Sequence, residues 1–301
     1  MSLTYEDNDT TPIAQILCPG DDRLVYISNE TKQYEGQIGP DGREEVLHKV
    51  WDLDTINTIA DAMNNGMNLK GIIDLFASVS VKEQKEPEYD GLEGDEIYLD
   101  EDECIEVLPT PRNERIIIGG QTGCGKSTWA ATYARLWKKL HPDGMIHIFC
   151  RQGGDPAFAG IDHEEIVVDH DLISEVLGIH DFTDTLVIFD DMDNLQEKSV
   201  IEYIHKLMND LMSCGRKQNI YVIYMTHIFK NRAKTQIPLL EASKIVFFNG
   251  AGDRGNIGVL KDYAQMNKKE IDRLIGLDSH WCCLERSRPR YLVHQKGIFL
   301  L

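Results

Sequence analysis

The chain has 301 residues, of which 42% are hydrophobic and 27% are charged, and its formal net charge is −19. This composition predicts a globular protein with one large core and a smaller appendage. No apolar stretch reaches the roughly 18 residues that a bilayer crossing requires, and residues 1–20 lack the basic and apolar regions of a signal peptide. We therefore expect a cytosolic or nuclear protein, without a membrane span and not secreted.

The seven cysteines form neither a C-x-x-C pair nor a metal-ligand spacing. This pattern predicts reduced thiols, with no zinc site and no disulfide.

The charge is unevenly distributed along the chain. Residues 1–110 hold 26 acids and 7 bases, whereas residues 111–301 hold 24 of each. Within the second part, residues 214–301 carry 15 bases and 7 acids. We therefore expect any polyanion to contact the C-terminal third of the chain.

The N-terminal part is predicted to be a small acidic domain, α or α+β, over residues 1–80. Arg23 to Ser28 is predicted as a strand, and residues 44–63 and 69–77 as helices, because their apolar residues recur at helical spacing. Residues 81–110 are predicted to be an acidic linker, since Pro and Gly interrupt a run rich in Asp and Glu. The domain is either a solubilising appendage or a docking and regulatory domain that binds a basic surface.

Residues 111–301 alternate predicted strands and helices. Strands are predicted at residues 116–118, 145–150, 186–189, 220–225 and 244–248, and helices at 126–140, 199–212 and near 268–275. Strands separated by helices pair in parallel, with helices on both faces of the sheet. We therefore expect an α/β domain with a mainly parallel sheet, followed by a terminal hairpin of residues 281–285 and 291–294.

A glycine-rich loop joins the first of these strands to the first helix. Residues 120–127 match G-x-x-x-x-G-K-[ST], a motif whose backbone N–H groups curl around nucleotide phosphates at a helix N-terminus. Lys126 is expected to reach the β- and γ-phosphates, Ser127 to ligate Mg²⁺, and Thr128 to lie beside the α-phosphate. The predicted nucleotide contacts are Gly120, Gln121, Thr122, Gly123, Cys124, Gly125, Lys126, Ser127 and Thr128. Cys124 is either a small tolerated side chain or a redox-sensitive one.

Two adjacent carboxylates follow the strand at 186–189. Asp190 is expected to hold the water shell of Mg²⁺, and Asp191 to orient or deprotonate the attacking water. The alternative is that only Asp190 is functional and that Asp191 or Asp193 begins the next turn. A carboxylate directly after the metal-binding Asp favours hydrolysis by water.

Two further polar positions flank the strand at 220–225. Thr226 or His227, at its end, is expected to sense the γ-phosphate if this extra strand lies between the two phosphate-site strands; a structural His is the alternative. Arg216, before the strand, is either an arginine finger for a neighbouring subunit or a cation at a helix C-terminus.

Three segments together resemble the genome-packaging ATPases of nucleocytoplasmic large DNA viruses, of the poxvirus type, within the HerA/FtsK superfamily of ring motors. They are IIIGGQTGCGKST, LVIFDDMDN and SCGRKQNIYVIYMTHIFKNRAKTQIPLLEASKIVFFNG, and the resemblance covers about residues 112–275. It implies a P-loop NTPase fold of the additional-strand (ASCE, RecA-like) type. It also implies that Lys126 and Ser127 bind ATP and Mg²⁺, that Asp190 and Asp191 are the metal and catalytic carboxylates, and that Arg216 acts in trans. His227 stands where the family has a sensor Gln, and residues 1–110 have no counterpart.

The resemblance further implies an ATP-driven translocase that packages double-stranded DNA into a preformed capsid. Such a motor would be a homo-oligomeric ring bound to a capsid or portal-vertex protein, in the host cytoplasm at the assembly site or in the virion. The positive charge of residues 214–301, with Lys230, Arg232 and Lys234 in one loop, fits a channel that follows phosphates. The alternative is that these cations are scattered over solvated faces. No base-reading motif is present, as expected of a motor that ignores sequence.

Two other classes of function stay open. A P-loop kinase or other metabolic NTPase would have an Arg-rich lid, which the sequence lacks. A nucleotide-gated scaffold without significant turnover would not need the pair Asp190-Asp191. An ABC-type ATPase is disfavoured because no L-S-G-G-Q signature follows the loop.

Overall fold

The computed structural model describes residues 2–5, 7, 10–18, 22–28, 96–227, 229, 232–248 and 254–301, without the side chains of 232–234 and 254–256. The described elements belong to one compact unit, Ser2–Ser28 with Leu92–Leu301. The helices predicted at 44–63 and 69–77, and the loop residue Lys230, lie outside the described residues.

The described strands form a four-stranded sheet, in the order β1-β3-β2-β5, and a ten-stranded sheet, in the order β4-β14-β13-β12-β11-β6-β10-β9-β7-β8. The strands are β1 (Ser2–Thr4), β2 (Ala14–Leu17), β3 (Arg23–Ser28), β4 (Glu96–Tyr98), β5 (Cys104–Val107), β6 (Arg115–Gly119), β7 (Met145–Cys150), β8 (Glu164–Val167), β9 (Thr185–Phe189), β10 (Tyr221–Thr226), β11 (Lys244–Phe248), β12 (Trp281–Glu285), β13 (Tyr291–His294) and β14 (Gly297–Leu300). The α-helices are α1 (Lys126–Leu140), α2 (Lys198–Cys214), α3 (Arg232–Glu241), α4 (Arg254–Asp262) and α5 (Lys268–Ile275).

The centre of the large sheet is parallel. Strands β8, β7, β9, β10, β6 and β11 are neighbours in this order, and each adjacent pair is parallel. The extra strand β10 lies between β6 and β9, which precede the glycine-rich loop and the paired carboxylates. The predicted α/β fold of the additional-strand type is therefore confirmed.

Helices cover both faces of this sheet, which explains why its central strands are continuous apolar runs. Side chains alternate between faces along a strand, so Ile116 and Ile118 belong to one core and Ile117 to the other. On the first face α1 buries Trp129, Tyr133 and Trp137 at four-residue spacing. On the second face α2 buries Ile204, Leu207, Met208 and Leu211. None of the helices in the described residues is both long and apolar enough to cross a lipid bilayer.

The predicted terminal hairpin is confirmed, and it is part of a larger antiparallel extension. Strand β12 pairs with β11 and β13, β13 with β14, and β14 with β4, all antiparallel. The short strands β8 and β14 and the helices α3 and α4 were not predicted. Helix α3 contains Pro238, which argues against a helix in a sequence pattern.

The N-terminal strands correct the predicted linker. Residues 96–98 and 104–107, which lie within it, form β4 in the large sheet and β5 in the small sheet. The reason is that Ile97, Ile105 and Val107 are buried and alternate with less buried residues, so one side of each strand belongs to the core. The strand predicted at Arg23 to Ser28 is confirmed as β3.

A buried ion cluster ties β6, β11 and β12 together. The Lys244 side chain is fully buried and pairs with Glu114, which precedes β6, and with Glu285 at 3.1 Å. Glu114 also accepts hydrogen bonds from the Tyr133 hydroxyl of α1 and, at 3.0 Å, from Thr110. A buried lysine between two carboxylates keeps its charge compensated only while both partners remain in place.

Candidate nucleotide-binding site

The candidate site lies at the carboxyl edge of the parallel strands. Because β6, β10 and β9 are parallel, the segments that follow them meet at one edge of the sheet, where α/β proteins bind ligands. Gly119 at the end of β6 is in register with Thr226 at the end of β10. The glycine-rich loop, His227 and the pair Asp190-Asp191 are therefore neighbours, although they are far apart in sequence.

The glycine-rich loop has the backbone shape that its sequence predicts. Gly123 and Gly125 have φ values of +77° and +100°, which L side chains rarely adopt. A Cβ atom on Gly120 would lie 2.5 Å from the Cys124 sulfur. Helix α1 begins directly after this loop, with neither a side-chain cap nor an acid in its first turn. Its first N–H groups and the positive end of its dipole thus suit an anion.

The Lys126 side chain is folded back onto the loop. Its Nζ atom donates to the carbonyl oxygens of Gly120 and Gln121, both at 2.9 Å, and lies 3.2 Å from His227 Nδ1. Burial lowers the pKa of Lys126 from its ordinary value, while the pull of nearby Asp190 and other anionic groups opposes this shift. A bound triphosphate would supply acceptors that these carbonyls now provide.

Asp190 lies in a cluster of carboxylates at the end of β9. Burial raises the pKa of Asp190 to about 6, and the charges of Asp155 and Asp191 add to the shift. This carboxylate and the hydroxyl of Ser127, in the first turn of α1, form the hard oxygen donor set that Mg²⁺ prefers. Mutual repulsion among the acids fits a divalent cation, because such an ion would relieve it. The residues present therefore fit Mg²⁺.

His227 connects the lysine to the second carboxylate. Its Nε2 atom lies 2.7 Å from Asp191 Oδ1, while its Nδ1 atom faces Lys126. An ammonium group has only donors, so the hydrogen-bond pattern assigns Nδ1 as the acceptor and Nε2–H as the donor to Asp191. Asp191 Oδ1 also accepts a 2.6 Å hydrogen bond from Asn194. The two donors hold this carboxylate in one orientation.

Asp193 was expected at most to begin a turn, whereas in the structure it anchors the end of β10. Its Oδ2 atom accepts from the Thr226 hydroxyl at 2.7 Å and from the His227 backbone N–H at 2.8 Å, and its Oδ1 atom accepts from the Tyr224 hydroxyl at 3.2 Å. Of the two sensor candidates, Thr226 thus contacts Asp193, whereas the side chain of His227 faces Lys126 and Asp191. The acidic run at residues 190–194, D-D-M-D-N, is the feature of the sequence that could have pointed to Asp193.

Arg216 lies away from the other site residues of its own chain. It belongs to the short 3-10 turn Gly215–Gln218, which precedes β10, and is exposed. Asn113 donates to its carbonyl oxygen at 2.7 Å. A strand rises about 3.3 Å per residue, so the length of β10 separates Arg216 from the loop by roughly 20 Å. Within one chain the two cannot meet.

Two aromatic residues that the sequence patterns do not predict lie next to the loop. His280, before β12, donates from Nε2 to the carbonyl oxygen of Cys124 at 2.8 Å. The ring of Phe248, at the end of β11, lies 3.4 Å from the position of a Cβ on Gly125 and packs edge-on against His280. Neither residue belongs to a local motif, so only the pairing of β11 with β12 brings them to the loop.

Comparison with known proteins found no protein-family model that matches the chain. The chain is 33% identical over 192 residues to the uncharacterized protein V3 of Sputnik virophage, a match that covers 63% of this chain and 78% of V3. This relative is a viral protein, in agreement with the resemblance drawn from the motifs.

Two solved structures are also similar to the chain. One is the genome packaging NTPase B204 from Sulfolobus turreted icosahedral virus 2 in complex with ATP-gammaS, with a TM-score of 0.44 and 12% identity over 62% of this chain and 98% of that chain. The other is B204, the DNA-packaging ATPase from Sulfolobus turreted icosahedral virus, with a TM-score of 0.45 and 14% identity over the same shares. From the extent and identity of the V3 match, the chain belongs to the same protein family as protein V3 of Sputnik virophage.

Proposed function

We propose that the chain is a subunit of an ATP-driven motor, which hydrolyses ATP with Mg²⁺ and moves double-stranded DNA into a viral capsid. The observation that carries the ATPase part is the meeting of the glycine-rich loop, His227 and the pair Asp190-Asp191 at one sheet edge. The viral relative V3 and the resemblance to packaging ATPases support the motor part.

The geometry supports hydrolysis in which each group has a separate task. The loop amides and Lys126 bind the phosphates, and Ser127 with Asp190 would hold Mg²⁺, which when bound neutralises charge on the β- and γ-phosphates. Asp191, oriented by His227 and Asn194, accepts a hydrogen bond from the attacking water and aligns it. Because His227 contacts both Lys126 and Asp191, loss of the γ-phosphate changes the contacts of all three side chains. That coupling suits His227 to the sensor role.

The position of Arg216 supports a ring. An exposed guanidinium about 20 Å from the loop of its own chain cannot reach that loop, so a catalytic role for Arg216 requires the site of another subunit. We therefore propose that Arg216 offsets transition-state charge in a neighbouring copy, the role of an arginine finger. This requires a homo-oligomer in which the amino edge of one sheet faces the carboxyl edge of the next.

The charge distribution supports DNA as the polymer that is moved. Residues 214–301 carry the excess of bases, including Lys230, Arg232 and Lys234, and a phosphate-following channel needs cations rather than base readers. A capsid or portal-vertex protein is the proposed docking partner, and the host cytoplasm or the virion the proposed location.

The test is ATP turnover with and without duplex DNA, for the wild type and for Lys126→Ala and Asp191→Asn. We expect weak basal turnover, stimulation by DNA, and loss of turnover in both variants. Binding of ATP without turnover would identify a nucleotide-gated scaffold instead, and phosphate transfer to a small acceptor would identify a kinase. Indifference to DNA would refute the motor.

A mixing experiment tests the shared site. Arg216→Ala and Asp191→Asn subunits are each expected to be inactive alone and to recover part of the turnover when mixed, because the intact Arg216 of one completes the intact carboxylates of the other. Lys217→Ala, a neighbouring exposed cation, is the matched control and should keep full turnover. Absence of rescue with an inactive Arg216→Ala would refute catalysis across a subunit boundary.

A further inference from the structure

A cavity of about 430 Å³ opens beside the glycine-rich loop, and neither Asp190 nor Asp191 lines it. Gly125 and Thr128 form its edge at the loop, and Thr132, one turn further along the same face of α1, continues its floor. Its volume lies within the range of about 300–1,000 Å³ that is typical of small-molecule sites. None of the residues assigned above to phosphate transfer or hydrolysis needs this cavity for its role.

The direction of a bound triphosphate points its nucleoside into this cavity. Strand β6 has β10 on one side and β11 on the other. Lys126 Nζ, which reaches the terminal phosphates in such loops, faces His227 at the end of β10. The α-phosphate and the nucleoside must therefore lie on the β11 side of the loop, where Thr128 lines the cavity.

The walls of the cavity have the composition of a nucleoside site. Apolar surface comes from Phe248 at the end of β11 and Trp281 at the start of β12, which are in register at this edge. The opposite wall comes from the four-stranded sheet, through Leu17 of β2 and Ile105 of β5. Pockets for ligands combine such apolar walls with a few polar groups that fix orientation.

The polar groups suit a sugar and a base. The half-buried Glu106 lines the cavity from β5, and burial raises its pKa from the ordinary value. Gln295 lines it from the turn after β13, and its Oε1 atom accepts from the backbone N–H of His280 at 3.2 Å. A carboxyl group and an amide are hydrogen-bonding partners for ribose hydroxyls and for the edge of a base.

We infer that this cavity, the nucleoside pocket, binds the ribose and base of the nucleoside triphosphate whose phosphates the loop holds, and that the four-stranded sheet forms its outer wall. The inference rests on the proposed function and deepens it. It gives Leu17 and residues 104–107 a direct part in nucleotide affinity, without any contact with the reacting phosphate.

The test compares Mg·ATP with Mg·tripolyphosphate, which has the phosphates but no nucleoside, by titration calorimetry on the full chain. The wild type is expected to bind ATP at least about tenfold more tightly, which corresponds to about 1.4 kcal/mol. Thr132→Phe, which fills the pocket from a half-buried position on α1, should weaken ATP binding by about the same factor and leave tripolyphosphate binding within about twofold. Thr132→Val keeps the side-chain volume and is the matched control, expected to bind both as the wild type does.

The outcomes separate this inference from the proposed function. If the wild type binds neither compound, the proposed function fails together with the inference. If it binds both equally, or if Thr132→Phe weakens both equally, the nucleoside pocket is refuted while the phosphate site stands.

A second measurement needs no substitution. The exposed thiol of Cys104 lines the pocket, so ATP should slow its alkylation, followed by peptide mass mapping, and tripolyphosphate should not. Alkylation without any ligand and alkylation with tripolyphosphate are the two controls. Equal reactivity of Cys104 with and without saturating ATP would overturn the inference.

Discussion

Replacing Asp190 with Asn is expected to stabilise the nucleotide-free fold and to abolish ATP turnover. The carboxylate sits in a half-buried position among other acids, where its charge is unfavourable until a cation binds. Asn has nearly the same shape and no charge. The variant therefore separates the stability cost of a metal site from its catalytic use.

The magnitude follows from the pKa of Asp190, which rises from an ordinary value of 3.8 to about 6. Each pKa unit corresponds to about 1.4 kcal/mol, and partial solvent screening reduces the total, so we expect a gain of about 1–3 kcal/mol above pH 6. Between pH 3.8 and about 6 the native state holds a proton that the unfolded state has lost. Stability from this group is therefore fully present below pH 3.8 and is lost as the pH rises through about 6.

Urea unfolding at pH 3.5, 5 and 8, with a chelator present, measures the effect. Asp190→Asn should be more stable than the wild type at pH 8 and close to it at pH 3.5. Mg·ATP should stabilise the wild type and add much less to the variant. Asp143→Asn, at an exposed turn after α1, is the matched control and should leave the pH dependence unchanged. A variant that is no more stable than the wild type at pH 8 would refute the reasoning.

Three further changes have expected outcomes. His227→Ala should lower kcat by about 10²-fold, because Asp191 loses one of its two orienting donors and Lys126 loses a contact. Calorimetry should find the affinity for Mg·ATP within about threefold, and an unchanged kcat would exclude the sensor role. Lys244→Met should destabilise the fold by about 3–5 kcal/mol in urea unfolding, since two buried carboxylates lose their partner. Lys139 is exposed, so the control Lys139→Met should change stability by less than about 0.5 kcal/mol. Gly119→Ala should lower stability by about 1–3 kcal/mol, because the new Cβ would lie 2.1 Å from the ring of Phe229; a Tm equal to that of the wild type would contradict this close approach.

Local sequence determined the elements whose causes are themselves local. Helix α1 begins after Gly125 and ends before His141-Pro142 as predicted, since a glycine-rich loop and a proline mark its two ends. The strands that precede the loop and the paired carboxylates were recognisable because strands buried on both faces are continuous apolar runs. The phosphate-binding loop was readable because its chemistry depends on consecutive backbone groups.

Tertiary structure decided everything that depends on pairing between distant segments. The hydrogen bonds of Asp193 to Thr226, and the place of His227 between Lys126 and Asp191, exist because β10 pairs with both β6 and β9. The acidic composition of residues 96–107 concealed two strands, since burial of Ile97, Ile105 and Val107 in the core outweighs the neighbouring acidic charges. The nucleoside pocket is likewise built from segments that only strand pairing and sheet packing bring together, and contacts of that kind leave no local pattern in a sequence.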